Sequence, residues 1–194
     1  MLGIRPEPSF ETIYAAAQQG KLADGQLFQA EKAVEVAATF QRVVDVIQDY
    51  RRWPEVDDFT DVQLPRGTSE GGPIDFKVEG FRAIGQIAQA RLLEANNPEL
   101  DEHYRRAYRL FWVTESYGSA AADDHWVAED WDLNVILAVR ERLYAPRVMF
   151  LPSPLGRAIG RTGMRLIFPE KRLRQRQTTW LHRFAAAAGG TQTD

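Results

Sequence analysis

Between Trp53-Pro54 and Phe81 the chain cannot stay helical. Pro65, Gly67, Gly71, Gly72, Pro73 and Gly80 all fall within residues 55–80. Proline locks φ and removes a backbone donor, and glycine weakens helix and strand alike. The run reads as a long loop or linker, of a length that is uncommon unless it is functional or ordered by contacts. It separates two blocks whose apolar residues recur at helical intervals.

In the first block Ser9 is placed to cap a short helix carrying Phe10, Ile13, Tyr14 and Ala17 on one face, with Gly20 as its stop. A second helix opens at Asp24 or Gly25. Ala33, Val36, Ala37, Phe40, Val43, Val44, Ile47 and Tyr50 carry its period up to Pro54. In the second block Phe81, Ile84, Ile87, Ala88 and Leu92 fit a helix ending at Asn96-Asn97. Pro98 suits the first turn of the next, with Leu100, Tyr104, Ala107, Tyr108 and Phe111 on its face up to Gly118. Asp123 or Asp124 would cap a further helix through Val127, Trp131, Val135, Val139 and Leu143 to Pro146. Beyond Pro152-Ser153-Pro154 the pattern predicts a helix over 155–168 and a last one from Pro169 through Leu173, Trp180, Leu181 and Phe184. Asn-Gly or Asp-Gly turns between alternating runs are missing, apart from Asp24-Gly25 in a helical neighbourhood. The expectation is a mainly α single domain over residues 1–194, with six or seven helices, a loop over 55–80 and a basic helical C-terminal segment over 147–188.

Charge is distributed unevenly. Residues 140–183 carry eleven Lys/Arg against two carboxylates, Glu141 and Glu170; residues 1–139 carry thirteen against twenty-four. The overall charge of −3 conceals this polarity. On a helix Arg157, Arg161 and Arg165 form one stripe, and Leu155, Ile159, Thr162 and Leu166 another. Gly156 and Gly160 add the small-residue spacing that lets a helix approach its neighbour closely. With Lys171, Arg172, Arg174 and Arg176 these arginines are the candidate partner- or anion-binding residues. Their expected partner is an acidic protein surface, a second copy of the chain, or an anionic membrane. The acidic balance and the absence of a recognition-helix, RNP-like or zinc-knuckle pattern argue against dedicated nucleic-acid binding.

Motifs for chemistry are sparse. There is no cysteine, so disulfides and thiol nucleophiles are excluded. No P-loop, Gly-x-Gly-x-x-Gly or His-Glu-x-x-His occurs, and no catalytic residue or cofactor is assigned. Glu99 with His103, and His125 with Glu129, are spaced i, i+4, which on adjacent helices could present a divalent metal site. The Glu-x-x-His spacing of carboxylate-bridged bundles is missing. The start lacks the apolar core of a secretory signal, and apolar stretches fall short of the ~18–20 residues of a membrane span. These features together predict a cytoplasmic, non-enzymatic assembly subunit that docks through its basic C-terminal segment.

Two stretches support a different reading. Val34 to Glu55, ending in Trp53-Pro54-Glu55, resembles the strand, short helix and Trp-Pro turn of START-like (Bet v 1-type) ligand-binding and polyketide-cyclase domains. Phe28, Ala30, Val34 and Val36 sit at alternating positions there. Pro154-Leu155-Gly156-Arg157 and Thr179-Trp180-Leu181-His182-Arg183-Phe184 are similar to the closing-helix region of that family. The resemblance implies a curved antiparallel sheet around a long helix (the α+β helix-grip arrangement), with a cavity for a small apolar ligand such as a lipid or polyketide. Residues 81–145 depart from it, because they read as helices where the family places strands.

Overall fold

The computed structural model describes residues 4–25, 27–56, 59–78, 80–149, 151–167 and 169–189. Its elements run β1 Ile4–Pro6, α1 Phe10–Gln18, β2 Phe28–Val36, α2 Phe40–Gln48, a single 3-10 turn at Tyr50–Arg52, and α3 Trp53–Val56. Then follow β3 Phe59–Gln63, β4 Pro73–Val78, β5 Phe81–Glu94, β6 Tyr104–Ser116, β7 Ser119–Asp130, β8 Val135–Tyr144, β9 Pro146–Val148, α4 Ser153–Ile167 and α5 Glu170–Ala187. Seven strands form one antiparallel sheet in the order β2-β8-β7-β6-β5-β4-β3, and β1 pairs with β9 in a separate ribbon. The mainly α expectation is therefore corrected: this is an α+β helix-grip fold, not a helical bundle.

The correction has a physical cause in residues 81–145. Strands β6 and β7 are covered on both faces, so their apolar residues do not alternate with polar ones. On the inner face Tyr108, Leu110 and Trp112 of β6 join Val127 of β7 and Leu137 of β8 beneath Trp180, Leu181 and Phe184 of α5. On the outer face Phe111 and Val113 of β6 join Ala120 and Ala122 of β7 beneath Ile13 and Ala17 of α1. The resulting run Leu110-Phe-Trp-Val113 is buried throughout and matches a helix period as well as a strand. In β5 a register shift between Ile87 and Gln89 adds a second break in alternation.

Turn chemistry hides the hairpins too. The β6–β7 turn is Tyr117-Gly118, with φ of 49° and 78°, so both central residues adopt the left-handed conformation that Asn-Gly usually supplies. Residues 55–80, expected as a loop, include β3 and β4, and Gly67 and Gly71 (φ 59° and 70°) turn the chain between them. The single helix expected from Asp24 to Pro54 is the strand β2 followed by α2. Thr39 starts α2 by accepting a hydrogen bond from the Arg42 amide at 3.4 Å. Trp53 ends this segment with its ring buried and its Nε1 donating to the Ile47 carbonyl at 3.0 Å.

Helix α1 begins where Ser9 caps it and stops before Gly20 (φ 74°). A buried ion-pair network fastens it to the sheet. Arg109, 2% exposed, forks onto Asp124, 0% exposed, at 2.7 Å through both Nε and Nη2. Its Nη2 also donates to the Gly20 carbonyl at 2.9 Å, and Arg140 adds a 2.8 Å bond to Asp124. The acids read as a helix cap are thus a β-strand pair: Asp124 faces α1 and Asp123 faces inward.

Candidate functional site

Antiparallel register sorts the inner face into rows. Tyr108, Val127, Leu137 and Val34 are successive partners across β6, β7, β8 and β2, and Leu110, His125, Val139 and Lys32 form the next row. Apart from the exposed Lys32, these rows belong to the core under α5 together with Trp180. The following row is Trp112, Asp123, Glu141 and Ala30; beyond it lie Thr114, Ala121, Leu143 and Phe28, then Ser116 and Ser119. Along β6 and β7 the side chains shrink in this direction. Opposite them α4 presents Gly160, Gly163 and Met164. Small residues on both walls leave a cavity of about 360 Å³.

The cavity is apolar over most of its wall. Phe59, Phe76 and Phe81 close one side, Leu143 and Leu173 another, and Ile159 and Ile167 of α4 the third. Its volume falls in the range of roughly 300–1,000 Å³ typical of small-molecule sites. Helix α4 sits close because its glycines meet the β9 backbone. A methyl group at Gly160 would lie 1.7 Å from the Pro146 carbonyl oxygen, and one at Gly156 2.4 Å from that of Val148. Gly163 differs: a side chain there would meet open space.

Polar groups gather at the inner end. Asp123 and Glu141 are Cα partners on neighbouring strands, and both line the cavity with Arg176 of α5. Arg176 Nη2 donates to Glu141 Oε1 at 3.0 Å, and Gln177 Nε2 donates to Oε2 at 3.2 Å. Glu141 is buried, so this pairing compensates a charge removed from water. Behind it His125 lies between two indoles, with ring centroids 4.3 Å from Trp112 and 4.5 Å from Trp180. Burial pushes its pKa down to about 3, so the imidazole is neutral at physiological pH. Trp112 Nε1, His125 Nδ1 and Gln177 Oε1 are buried without a protein hydrogen-bond partner among the described residues. All three residues border a space of about 20 Å³ shared with Asp123, Glu141 and Arg176. That is room for a water molecule or one polar ligand group.

The candidate metal ligands do not converge. Glu99, in the β5–β6 connection, accepts from Arg91 at 2.7 and 2.8 Å and from Arg109 at 3.5 Å on the outer side. His103 is exposed beside Asp101, whose carboxylate raises its pKa. Glu129 takes a fork from Arg106 at 2.9 Å. No group of three or more metal-ligating carboxylate or imidazole side chains occurs among the described residues. Of the basic candidates, Arg157 forks onto Glu7 at 2.7 Å, Arg174 pairs with Glu170, and Arg176 with Glu141. Arg161, Arg165, Lys171 and Arg172 lie on the surface of α4 and the first turn of α5. Only Arg176 of the seven reaches the cavity. Asp123 and Glu141 were not among the expected site residues. The available signal was period two: Glu141 sits between Val139 and Leu143 on one face, a lone acid in an apolar stripe of a basic segment.

No protein-family model matches the sequence, and neither does any curated protein. Solved structures resemble the fold. A hypothetical protein of Helicobacter pylori superimposes with a TM-score of 0.57 at 14% identity, over 82% of this chain and 86% of that one. The Zhui aromatase/cyclase of Streptomyces sp. R1128 gives 0.53 at 14%, over 84% and 93%. A norcoclaurine synthase of Thalictrum flavum, in complex with dopamine and hydroxybenzaldehyde, gives 0.51 at 9%, over 86% and 89%. The START-like resemblance of residues 34–55 and 154–184 is borne out at the level of fold, since these neighbours are Bet v 1-like and polyketide-cyclase folds. Among the described residues no helix is long and apolar enough to cross a membrane.

Proposed function

We propose that the chain binds a small, mostly apolar molecule carrying one polar end, in the cavity between the inner sheet face and α4. The observation that carries this reading is the gradient along one cavity. Phenylalanine and aliphatic walls make up its length, and Asp123, Glu141 and Arg176 stand at its inner end. An apolar body gains about 25 cal/mol per Å² of surface withdrawn from water there. The carboxylates and the guanidinium then fix its orientation by hydrogen bonds, which an entirely apolar molecule could not offer. Folds of this kind serving as an aromatase/cyclase, and as a synthase holding dopamine and hydroxybenzaldehyde, support a ligand of that size. This reading takes the place of the helical assembly subunit, which loses its basis once the bundle is replaced by the sheet.

The test uses titration with an apolar fluorescent probe such as anilinonaphthalene sulfonate. Saturable single-site enhancement is expected. Gly163→Phe should occupy part of the cavity, because Gly163 lines it and a methyl group there meets nothing within 4 Å. It should remove the enhancement while leaving the circular dichroism spectrum intact. Enhancement unchanged by Gly163→Phe would count against this site.

The cross-strand carboxylates favour a second reading, acid–base chemistry on the bound molecule. Asp123 and Glu141 are cross-strand neighbours that both line the cavity, beside an apolar space that strengthens their fields. On that reading Glu141→Gln loses turnover of a bound substrate but keeps probe binding.

A further inference from the structure

Among the described residues, five of the eleven exposed large hydrophobics lie between Met149 and Ile167: Met149, Leu155, Ile159, Leu166 and Ile167. Leu166 is 79% exposed. They are not scattered. At 100° per residue Leu155, Ile159 and Leu166 share one flank of α4, and Arg157, Arg161 and Arg165 share the other. Gly156, Gly160 and Met164 form the buried seam between the flanks. Helix α4 contains no carboxylate, and Lys171 lies exposed just beyond it. Ile4 and Tyr117, two more exposed apolar residues, line the same cavity that Ile159 and Ile167 help to close.

From this we infer that α4 docks on an anionic lipid bilayer and presents the cavity to it. A helix whose exposed arc is half aliphatic and half cationic matches the boundary between acyl chains and phosphates. Leu155, Ile159 and Leu166 enter the acyl layer; Arg161, Arg165 and Lys171 meet the headgroups. An acidic protein would satisfy the cations equally well. It would leave the aliphatic flank to find an apolar surface of matching shape, whereas a bilayer accepts it without one. The inference builds on the proposed binding of an apolar molecule, for which the bilayer is the natural reservoir, and α4 is the wall between the two.

The experiment is co-sedimentation of the full chain with vesicles of phosphatidylcholine alone and of an equal mixture with phosphatidylglycerol. Probe titration is run in parallel without vesicles. Binding is expected to the anionic vesicles, and to weaken with added salt. The double variant Arg161→Gln/Arg165→Gln should bind about thirtyfold more weakly, at about 1 kcal/mol for each basic residue near the surface. Leu155→Ser/Leu166→Ser should weaken binding as well. None of these four residues lines the cavity, so both variants should take up the probe normally, which also reports that they are folded. Absence of binding to anionic vesicles, or binding by either variant as tight as that of the unaltered chain, overturns the inference. So does tight binding to polyglutamate that survives Leu155→Ser/Leu166→Ser, which would identify an acidic protein as the partner. Vesicle binding by a protein that takes up no probe sustains the docking and overturns only the ligand reading.

Discussion

His125 shows how one side chain can set the acid stability of the molecule. It is stacked between Trp112 and Trp180, and burial lowers its pKa from 6.5 to about 3. Between those values the unfolded chain binds a proton that the folded chain refuses. Stability is therefore full above pH 6.5 and declines as the pH falls towards 3, by up to about 1.4 kcal/mol per pH unit. The carboxylates of Glu7, Asp75, Asp101 and Asp130 are held below their ordinary values by hydrogen bonds from Arg157, Arg82, His103 and Asn134, and they add the same sign only below about pH 4.5. Exposed His103 acts in the opposite direction, since its pKa is raised by Asp101. Urea titrations between pH 4.5 and 6.5 should show wild-type stability falling with acidification. The slope should flatten in His125→Phe; an equal slope in both proteins would remove His125 as the cause.

At the scale of elements, α4 offers a paired prediction. Gly160→Ala places a methyl group 1.7 Å from the Pro146 carbonyl oxygen, so α4 must leave β9 or β9 must deform. Overpacking of this kind costs about 1–3 kcal/mol, measurable by chemical denaturation. Gly163→Ala, one turn on and meeting nothing, should be neutral or stabilising by up to about 1 kcal/mol through helix propensity. The same element was legible in the sequence. Pro152-Ser153-Pro154 and Pro169 bracket it, and its periodicity is undisturbed because one face is solvated. Helices α1 and α5 were legible for similar reasons. Strands β6 and β7 were not, because helices over both faces erase the alternation that announces a strand, whereas β8 keeps it. Tyr117-Gly118 also concealed a hairpin turn behind an aromatic residue. The START-like resemblance implied a cavity, but the residues that line it were not legible, for a related reason. Ala121, Thr114 and Ser119 mark it only by being small, and small size becomes a signal only when the register shows that they face α4.

For the whole molecule the fold predicts a weak, mixed far-ultraviolet dichroism rather than the deep double minimum of a bundle. The proposed binding of a small apolar molecule predicts thermal stabilisation by ligand. A compound that binds the folded state alone adds about 2.7 kcal/mol of stability at one hundred times its Kd. In scanning calorimetry across a panel of amphipathic aromatics and fatty acids, those with a polar end should raise the midpoint more than fully apolar hydrocarbons of equal size. A ranking by hydrophobicity alone would contradict the role given to Asp123, Glu141 and Arg176.

The ribbon of β1 and β9 joins two distant parts of the chain. Ile4 pairs with Val148, Glu7 receives the fork from Arg157, and the β9 carbonyls meet the α4 glycines. Glu7 does not line the cavity, yet it helps fix the position of the helix that does. Selection for a larger or smaller cargo could therefore act at residue 7 without altering any group that touches the ligand. The pocket can be retuned from outside while its chemistry at Glu141 and Arg176 stays constant.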